Sequence, residues 1–270
     1  MKLTGHTALV TGASAGIGKA FATELAARGA NLVITARRGE RLDDLAAQLQ
    51  REHGRQVTVV TADLSEPDAP ERLMHAIASQ GVIVDMLINN AGYAVPGLFT
   101  AHSWREHAAF LQVLVTSVTH LAHLCLPAMI ERGFGQIVNV ASVAGLLPGG
   151  PSHTLYGAAK SFVIKFSESL AVEVAPRGVN VLAACPGFTL SEFHDVIGTR
   201  SQLAALPKWM WMDADTVARQ SLSAVARGET VYVNGLTNRA LTSFFRTMPE
   251  GSASALMKRN AKQILKRIAT

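Results

Sequence analysis

The chain contains 270 residues, of which 49% are hydrophobic and 17% are charged. A chain of this length and composition can bury a large apolar core, which excludes a mainly disordered protein. Its net charge of +5 comes from the C-terminal part, because residues 239–270 carry seven basic side chains and one acid. The remainder is close to neutral, so the basic composition does not indicate a nucleic-acid-binding protein.

Apolar, strand-like runs alternate with amphipathic, helix-like runs along the first 235 residues. The predicted strands cover 6–11, 31–36, 56–61, 84–88, 135–141, 179–185 and 230–233. The predicted helices cover 16–29, 40–53, 67–80, 103–132, 154–175 and 213–227. Most strand runs are apolar throughout, which is typical of strands that are covered on both faces in a parallel sheet.

This alternation predicts a doubly wound, Rossmann-type α/β fold with helices on both faces of the sheet. No linker and no internal repeat divides the first 235 residues. We therefore predict one catalytic domain over residues 1–237, with a basic helical C-terminal extension of the same domain over residues 238–270.

The compartment is predicted from the cysteines and from the apolar runs. Cys125 and Cys185 have no neighbour at the spacing of a metal or redox site, so we expect buried thiols in a reducing environment. No basic stretch followed by a cleavable apolar segment opens the sequence, and the apolar runs are too short to cross a bilayer. These features favour a soluble, cytoplasmic protein.

A glycine-rich turn follows the first predicted strand and leads into the first helix. It reads Thr11-Gly-Ala-Ser-Ala-Gly-Ile-Gly18. Glycines at such a turn let a pyrophosphate approach bare backbone, and the helix N-terminus receives its charge. The turn therefore indicates a dinucleotide-binding site, although glycine turns between a strand and a helix also occur for purely structural reasons.

The end of the second strand distinguishes between the two nicotinamide dinucleotides. An acid there usually binds the adenosine ribose of NAD, whereas an arginine accommodates the additional phosphate of NADP. This strand ends in Arg37 and Arg38, with no carboxylate. A guanidinium can grip a phosphate through two hydrogen bonds, so Arg37 favours NADP(H). Arg38 is interpreted only as a solvated start of the next helix.

Three further residues form a candidate proton-transfer site. Tyr156 and Lys160 are four residues apart in a predicted helix and share one face, so the ammonium could stabilise a phenolate and lower the pKa of Tyr156. Ser142 follows the fifth strand, at the carboxyl edge of the sheet where ligands of such folds bind. Its hydroxyl could hydrogen-bond the carbonyl that Tyr156 protonates.

Together these motifs resemble the short-chain dehydrogenase/reductase family over about residues 4–235. The shared features are the turn at 11–18, Asn-Asn-Ala-Gly at 89–92, Ser142, Tyr156 with Lys160, and Pro-Gly at 186–187. The resemblance implies seven parallel strands and hydride transfer between a nicotinamide and a carbonyl or alcohol. It also implies that Tyr156 is the acid/base, that Ser142 positions the substrate, and that Lys160 binds the nicotinamide ribose and tunes Tyr156.

The same resemblance implies where the cofactor contacts the chain. Asp63 and Leu64 would flank the adenine, Asn90 would line the cofactor groove, and Thr189 would contact the nicotinamide amide. The full set of expected cofactor-binding residues is Gly12, Ser14, Gly16, Ile17, Gly18, Arg37, Asp63, Leu64, Asn90, Ala91, Gly92, Tyr156, Lys160, Pro186, Gly187 and Thr189.

The sequence departs from the family pattern at three positions. Leu114 stands where the family usually carries an asparagine that holds the water of a proton relay to the lysine. Ser142 and Tyr156 are 14 residues apart instead of the usual 13, and Ser191 replaces a threonine. The first departure leaves open a second function class, a catalytically weak or idle dinucleotide-binding protein with a regulatory or assembly role.

The segment from Phe188 to Met212 is strongly apolar and resembles the family's lid over the substrate. It favours a small apolar carbonyl or alcohol as substrate, although the same side chains could pack on the core or on another subunit. His153 and His194 flank the same mouth and could touch the substrate, although single histidines near a cleft are more often polar rim residues. His120 and His123 lack further ligands at metal-binding spacing, so no metal is predicted.

The C-terminal segment from Ser252 to Thr270 has an apolar face and several basic residues. Such a helix either docks on its own domain or makes a weak peripheral contact with an anionic membrane. Helices 103–132 and 154–175 resemble those through which family members pair, which implies a homodimer or homotetramer.

Overall fold

The computed structural model describes residues 2–151, 154–190, 207–249 and 251–252. Its centre is a seven-stranded parallel sheet, whose strands are β1 Thr7–Thr11, β2 Asn31–Thr35, β3 Val57–Val59, β4 Met86–Asn89, β5 Gly135–Val140, β6 Val179–Cys185 and β9 Val231–Val233. Their order across the sheet is β3-β2-β1-β4-β5-β6-β9. The short strands β7 Thr189–Leu190 and β8 Met212–Asp213 pair separately. The predicted doubly wound sheet is confirmed.

Helices cover both faces of this sheet. They are α1 Gly16–Ala27, α2 Gly39–His53, α3 Ala69–Ala78, α4 Trp104–Leu111, α5 Ser117–Glu131, α6 Thr154–Val174, α7 Ala214–Ala226 and α8 Leu236–Thr247. The alternation of side chains in β1 shows the two layers, because Ala8 and Val10 join the core under α1, α2 and α7, whereas Leu9 joins the core under α3, α5 and α6.

The strand order creates the place where a ligand can bind. β1 is followed along the sheet by β2 and β3 on one side, whereas β4 lies on its other side. The connections therefore diverge in opposite directions between β1 and β4, which leaves a crevice at their carboxyl ends. The glycine turn after β1 and residues 89–92 after β4 both open into this crevice.

The helix predicted over residues 103–132 is interrupted near its middle. Ser103 begins α4 with a capping box that includes Glu106, and Gln112–Thr116 then forms a π-helical turn before α5. Leu114 lies in that turn and is 1% exposed. A π turn adds one residue to a helix and is frequent at functional sites, and sequence periodicity alone did not predict it.

The continuous helical stretch Trp104–Arg132 is long and apolar enough, by length and composition, to cross a membrane. The sequence expectation that every apolar run is too short is therefore wrong, because histidine and one proline do not lower the hydropathy of this stretch enough. In the fold this stretch is a core helix, since Leu121, Ala122 and Met129 are fully buried. Contacts with α3, β4 and β5 cover it.

The last described helix, α8, begins at Leu236 and is attached to the domain by polar residues. Asn238 and Thr242 are buried, while Leu236, Leu241 and Phe244 are exposed. The side chain of Asn238 donates to the carbonyl of Asn234 at 2.8 Å. Residues 253–270 lie outside the described part, so the amphipathic C-terminal helix, whether docked or membrane-bound, stays a prediction.

Candidate active site

Ser142 is held in place at the carboxyl edge of β5. It caps the short 3-10 turn Val143–Gly145, and its Oγ accepts a hydrogen bond from the backbone N–H of Ala144 at 3.1 Å. The next backbone N–H, that of Val143, donates to the carbonyl of Pro186 at 3.0 Å. Because Oγ accepts this bond from the backbone, its O–H is still able to donate, and Ser142 is also hydrogen-bonded to Tyr156.

Lys160 lies one helical turn after Tyr156 on α6, as predicted. Its Nζ is 5.8 Å from the centroid of the Tyr156 ring and donates a 2.6 Å hydrogen bond to the carbonyl of Val140. The residue is only 6% exposed. Burial lowers the pKa of Lys160 to about 8, and the neighbouring Cys185 acts in the opposite direction. The hydrogen bond to Val140 therefore holds the ammonium in place, and the group loses its proton as the pH rises through about 8.

The acidity of Tyr156 differs from the sequence expectation. Burial raises the pKa of Tyr156 above its ordinary value, and a hydrogen bond with Ser142 opposes this rise only in part. The expected net lowering of the Tyr156 pKa by Lys160 is therefore wrong, and the lysine Nζ donates to the carbonyl of Val140. In the free protein, Tyr156 is a neutral phenol and is suited to donate a proton.

The glycine turn after β1 packs tightly against the first turn of α1. A Cβ on Gly18 would come within 2.2 Å of the carbonyl oxygen of Gly12. Asn90 holds the turn from below, since its Nδ2 donates to the carbonyls of Thr11 at 2.9 Å and Gly12 at 3.3 Å. The structure thus assigns the Asn90 side chain to the support of the turn, a role that the sequence did not reveal.

The N-terminus of α1 points into the same crevice and lacks a side-chain cap. Ala15 occupies the N-cap position, and no acidic residue lies in the first turn. The first N–H groups of the helix, which include those of Ile17 and Gly18, are therefore available to an anionic ligand. This arrangement fits the pyrophosphate of a dinucleotide.

Two arginines and an acid lie at the far end of the crevice, after β2 and β3. Arg38 donates from Nη2 to Ser14 Oγ at 3.0 Å, so it reaches back to the glycine turn and is more than a solvated helix start. Burial acts to raise the pKa of Asp63, but hydrogen bonds from Ser65 and the charge of Arg37 outweigh it and lower the pKa. Arg37 is therefore close enough to Asp63 for its charge to lower the pKa of that carboxyl.

Three further residues that are predicted to bind the cofactor, Leu64, Gly187 and Thr189, are held in place by contacts within the domain. Leu64 has its side chain in the core below α3, and its carbonyl accepts a 2.9 Å hydrogen bond from Ser117 Oγ. Thr189 is buried and donates from Oγ1 to the carbonyl of Gly187 at 3.1 Å. A Cβ on Gly187 would meet the side chain of Asn238 at 2.4 Å, so α8 buttresses the Pro-Gly turn.

The sequence did not predict a chain of buried, hydrogen-bonded polar side chains beneath the site. Asn89 Nδ2 donates to Asn139 Oδ1 at 2.9 Å, and Asn139 Nδ2 donates to Ser167 Oγ at 2.9 Å. These bonds tie β4 to β5 and β5 to α6, which carries Tyr156 and Lys160. The available signal was an asparagine in each of two otherwise apolar strand runs, because buried polar side chains need partners.

Leu114 closes the region between the π turn and residues 90–92. It belongs to the core cluster below α3 and α5, and a Cβ on Gly92 would lie 3.7 Å from its side chain. The position of the family asparagine is thus filled by packed hydrocarbon.

Part of the predicted substrate segment is described. The rings of Phe188 and Trp211 are 5.7 Å apart, and Trp209 is 66% exposed. Ser191, His194 and the rest of residues 191–206 lie outside the described part, as does His153. Within the described ranges no group of three or more histidine, cysteine or acidic side chains could hold a metal ion.

Comparison with known proteins agrees with this geometry. The short chain dehydrogenase family matches residues 6–201. Nodulation protein G of Rhizobium sp. (strain N33) is 37% identical over 239 residues, covering 87% of this chain and 95% of that protein. The very-long-chain 3-oxoacyl-CoA reductase of Anas platyrhynchos is 31% identical over 266 residues, covering 96% of this chain and 81% of that protein.

Two solved structures share the fold. A short-chain dehydrogenase from Sphingobium yanoikuyae in complex with NADPH has a TM-score of 0.79 at 32% identity, covering 91% of this chain and 96% of that one. A short chain dehydrogenase/reductase from Burkholderia phymatum in complex with NAD has a TM-score of 0.78 at 29% identity, covering 90% and 93%. The chain therefore belongs to the short-chain dehydrogenase/reductase family of oxidoreductases.

Proposed function

We propose that this protein is an NADP(H)-dependent reductase of apolar ketones and aldehydes. One observation carries the proposal: Tyr156, hydrogen-bonded to Ser142 at the carboxyl edge of the sheet, is held as a neutral acid beside the Lys160 ammonium. A protein that only binds a dinucleotide has no need of a partly buried phenol in that position.

The direction of the reaction follows from the protonation state of the phenol. A nicotinamide dinucleotide held in the crevice would supply the hydride for the carbonyl carbon, and the carbonyl oxygen would then need one proton. Because burial raises its pKa, Tyr156 carries that proton at neutral pH and can give it to the oxygen. Ser142, which is hydrogen-bonded to Tyr156 in the free protein, would donate its O–H to the carbonyl oxygen, and Lys160 would hold the ribose of the nicotinamide.

The preference for NADP(H) rests on the two arginines after β2. A phosphate at the adenosine ribose would lie near the exposed Arg37 and near Arg38, which is fixed by Ser14. The relative from Sphingobium yanoikuyae was solved with NADPH and the one from Burkholderia phymatum with NAD, so the choice depends on these residues of the present chain.

The apolar substrate class is supported by the walls of the site. A small pocket next to Tyr156 has Val95, Leu98, Phe110 and Leu155 in its walls, together with His102 and His107. The aromatic pair of Phe188 and Trp211 follows the Pro-Gly turn. The relative from Anas platyrhynchos is named for a very-long-chain 3-oxoacyl substrate.

The test is the oxidation of NADPH by the purified protein with a panel of aromatic, alicyclic and long-chain ketones and aldehydes. We expect turnover with several apolar carbonyl compounds and a lower kcat/KM with NADH. The competing proposal, an idle dinucleotide-binding protein, is favoured by Leu114 alone. It predicts saturable NADPH binding without oxidation by any compound of the panel.

The pKa of Lys160 predicts an alkaline limit for the reduction. Lys160 is charged below its lowered pKa of about 8 and becomes neutral above it, while Tyr156 stays protonated because its pKa is raised. We therefore expect kcat/KM, which reports the free enzyme, to fall as the pH rises through about 8. A profile of kcat/KM that is flat from pH 7 to pH 10 contradicts this assignment.

Leu114→Asn tests whether the missing relay asparagine limits turnover. Leucine removes a donor and an acceptor from the path to Lys160, but it also fills the space without leaving an unsatisfied polar group. We expect unchanged or lower activity in the variant, because proton delivery then follows the open substrate cleft past Ser142. A clear rise in kcat together with a smaller solvent isotope effect would show instead that the natural protein is limited by a missing relay.

We also propose an oligomeric state and a cellular compartment for this protein. We expect a cytoplasmic homodimer or homotetramer that pairs through α5 and α6. The exposed Phe162 and Val172 on α6 are consistent with a covered surface in such an oligomer.

A further inference from the structure

The helix α8 turns polar side chains to the domain and apolar side chains to solvent. Asn238 and Thr242, one helical turn apart, are the buried residues of this helix. On its other side Leu236 is 82% exposed and Phe244 is 56% exposed. A helix on the surface of a soluble domain normally shows the opposite arrangement, with its apolar face towards the core. The outer face of α8 therefore has the character of a contact surface.

The apolar residues of this outer face form one continuous stripe. Leu236, Ala240 and Phe244 follow one another at intervals of four residues, and Leu241 lies beside them. All four are exposed. Side chains four residues apart are neighbours on one face of a helix. These four residues are termed the α8 stripe, and an exposed apolar surface of this kind marks a site of interaction.

The chain directly after α8 carries a second apolar stripe. α8 ends at Thr247, the backbone N–H of Ser252 donates to the carbonyl of Pro249 at 2.9 Å, and residues 251–252 are already helical. Residues 253–270 lie outside the described part of the chain. In the sequence of this segment, apolar residues recur at helical spacing, namely Met257, Ala261, Ile264, Leu265 and Ile268.

The length of this segment and the short connection suit a helical hairpin. Helices that are joined by a few residues usually lie antiparallel and adjacent. As a helix, residues 253–270 would span about 27 Å, whereas α8 spans about 18 Å, so the segment is long enough to cover the α8 stripe. Folding the chain back about Glu250 and Gly251 places three pairs opposite each other: Phe244 with Met257, Ala240 with Ala261, and Leu236 with Leu265.

The central pair of this register consists of Ala240 and Ala261, whose small side chains allow two helices to approach closely. The basic residues of the segment fall outside its apolar stripe and would stay in water: Lys258, Arg259, Lys262, Lys266 and Arg267. A segment that is tethered by so short a connection also has an effective concentration in the millimolar range, which favours it over a second copy of the chain.

We propose that residues 253–270 form a helix that packs antiparallel on the α8 stripe. The apolar faces of the two helices then cover each other. α8 is also the helix whose Asn238 lies against the turn at Gly187, where an added Cβ would be 2.4 Å from the asparagine side chain. The C-terminal segment thus supports the helix that holds the Pro-Gly turn of the cofactor crevice. This inference is independent of the proposed reductase function.

The test is disulfide formation in the full-length chain that carries Ala240→Cys and Ala261→Cys. The natural cysteines, Cys125 and Cys185, are buried and do not compete. Under a mild oxidant we expect a cross-link within one chain, identified by mass spectrometry after digestion. The matched control pairs Ala240→Cys with Gln263→Cys, which lies on the other side of the predicted helix. It should react at least about tenfold more slowly, because cysteines whose Cα atoms are more than about 7 Å apart are not bridged without backbone movement.

A second pair of variants tests whether the apolar stripes hold the two helices together. Leu265→Asp, added to the chain with cysteines at 240 and 261, places a carboxylate in the contact and should slow the cross-link. Lys266→Asp changes the neighbouring residue outside the stripe and should leave the rate nearly unchanged. Both chains are folded if Cys125 and Cys185 stay unreactive towards a thiol reagent. Equal rates in these two variants overturn the proposal.

The other possible occupants of the α8 stripe give different results. A disulfide that forms only between two chains assigns the stripe to a second copy of the protein. No disulfide in solution, together with sedimentation of the natural protein on vesicles of phosphatidylcholine and phosphatidylglycerol, assigns it to an anionic membrane. Either result overturns the proposal, as does the absence of the disulfide without any binding to vesicles.

Discussion

Tyr156→Phe is expected to lower kcat for ketone reduction by about 10²–10⁴-fold, the usual contribution of a positioned general acid. The substitution keeps the aromatic ring that packs against the core and removes only the hydroxyl that bonds with Ser142. NADPH should therefore bind nearly as it does to the natural protein. The measurement combines steady-state kinetics on an accepted ketone with a fluorescence titration of NADPH.

A matched control is Tyr232→Phe, which removes a hydroxyl from β9, where the ring contacts the Arg239 guanidinium away from Ser142. This control should keep the natural kcat. If Tyr156→Phe retains substantial turnover, proton transfer occurs elsewhere and the role given to the phenol is wrong.

Arg37→Glu is expected to weaken NADPH binding by about 10–100-fold, because a hydrogen bond to a charged group contributes roughly 1.5–3 kcal/mol. The acid would also repel the additional phosphate, whereas NADH has no phosphate at that position. The Kd of NADH should consequently change little. Both dissociation constants are measured at one fixed ionic strength, since salt screens exposed charges.

The control for this substitution is Arg51→Glu, the same charge change on an exposed arginine in the last turn of α2. It should leave both dissociation constants nearly unchanged. Equal losses of NADPH and NADH in Arg37→Glu would show a general disturbance of the crevice and would remove the basis for NADP(H) preference.

Much of the fold could be predicted from the sequence because its signals are local. Largely apolar runs such as residues 135–141 and 179–185 form β5 and β6 within one residue at each end. The positions of Ser142, Tyr156 and Lys160 followed from the order of the elements, since all parallel strands end at one edge of the sheet.

The features that could not be predicted depend on contacts between distant parts of the chain. The bond between Arg38 and Ser14 spans 24 residues, and that between Asn89 and Asn139 spans 50. The pKa of Tyr156 depends on how deeply the phenol is buried, which helical spacing does not reveal. The π turn around Leu114 changes the register between α4 and α5, and apolar periodicity does not distinguish it from a regular helix.

The central claim, that this site transfers a hydride from NADPH to a carbonyl carbon, is tested most directly with NADPH deuterated at C4 of the nicotinamide. The protein, the labelled cofactor and an accepted apolar ketone are incubated, and the alcohol is analysed by mass spectrometry. We predict one deuterium on the carbon that bears the new hydroxyl. In Tyr156→Phe we expect the alcohol, and with it the label, to be lost. A product alcohol without deuterium from either C4-labelled form, or no alcohol from any ketone although NADPH is bound, would contradict it.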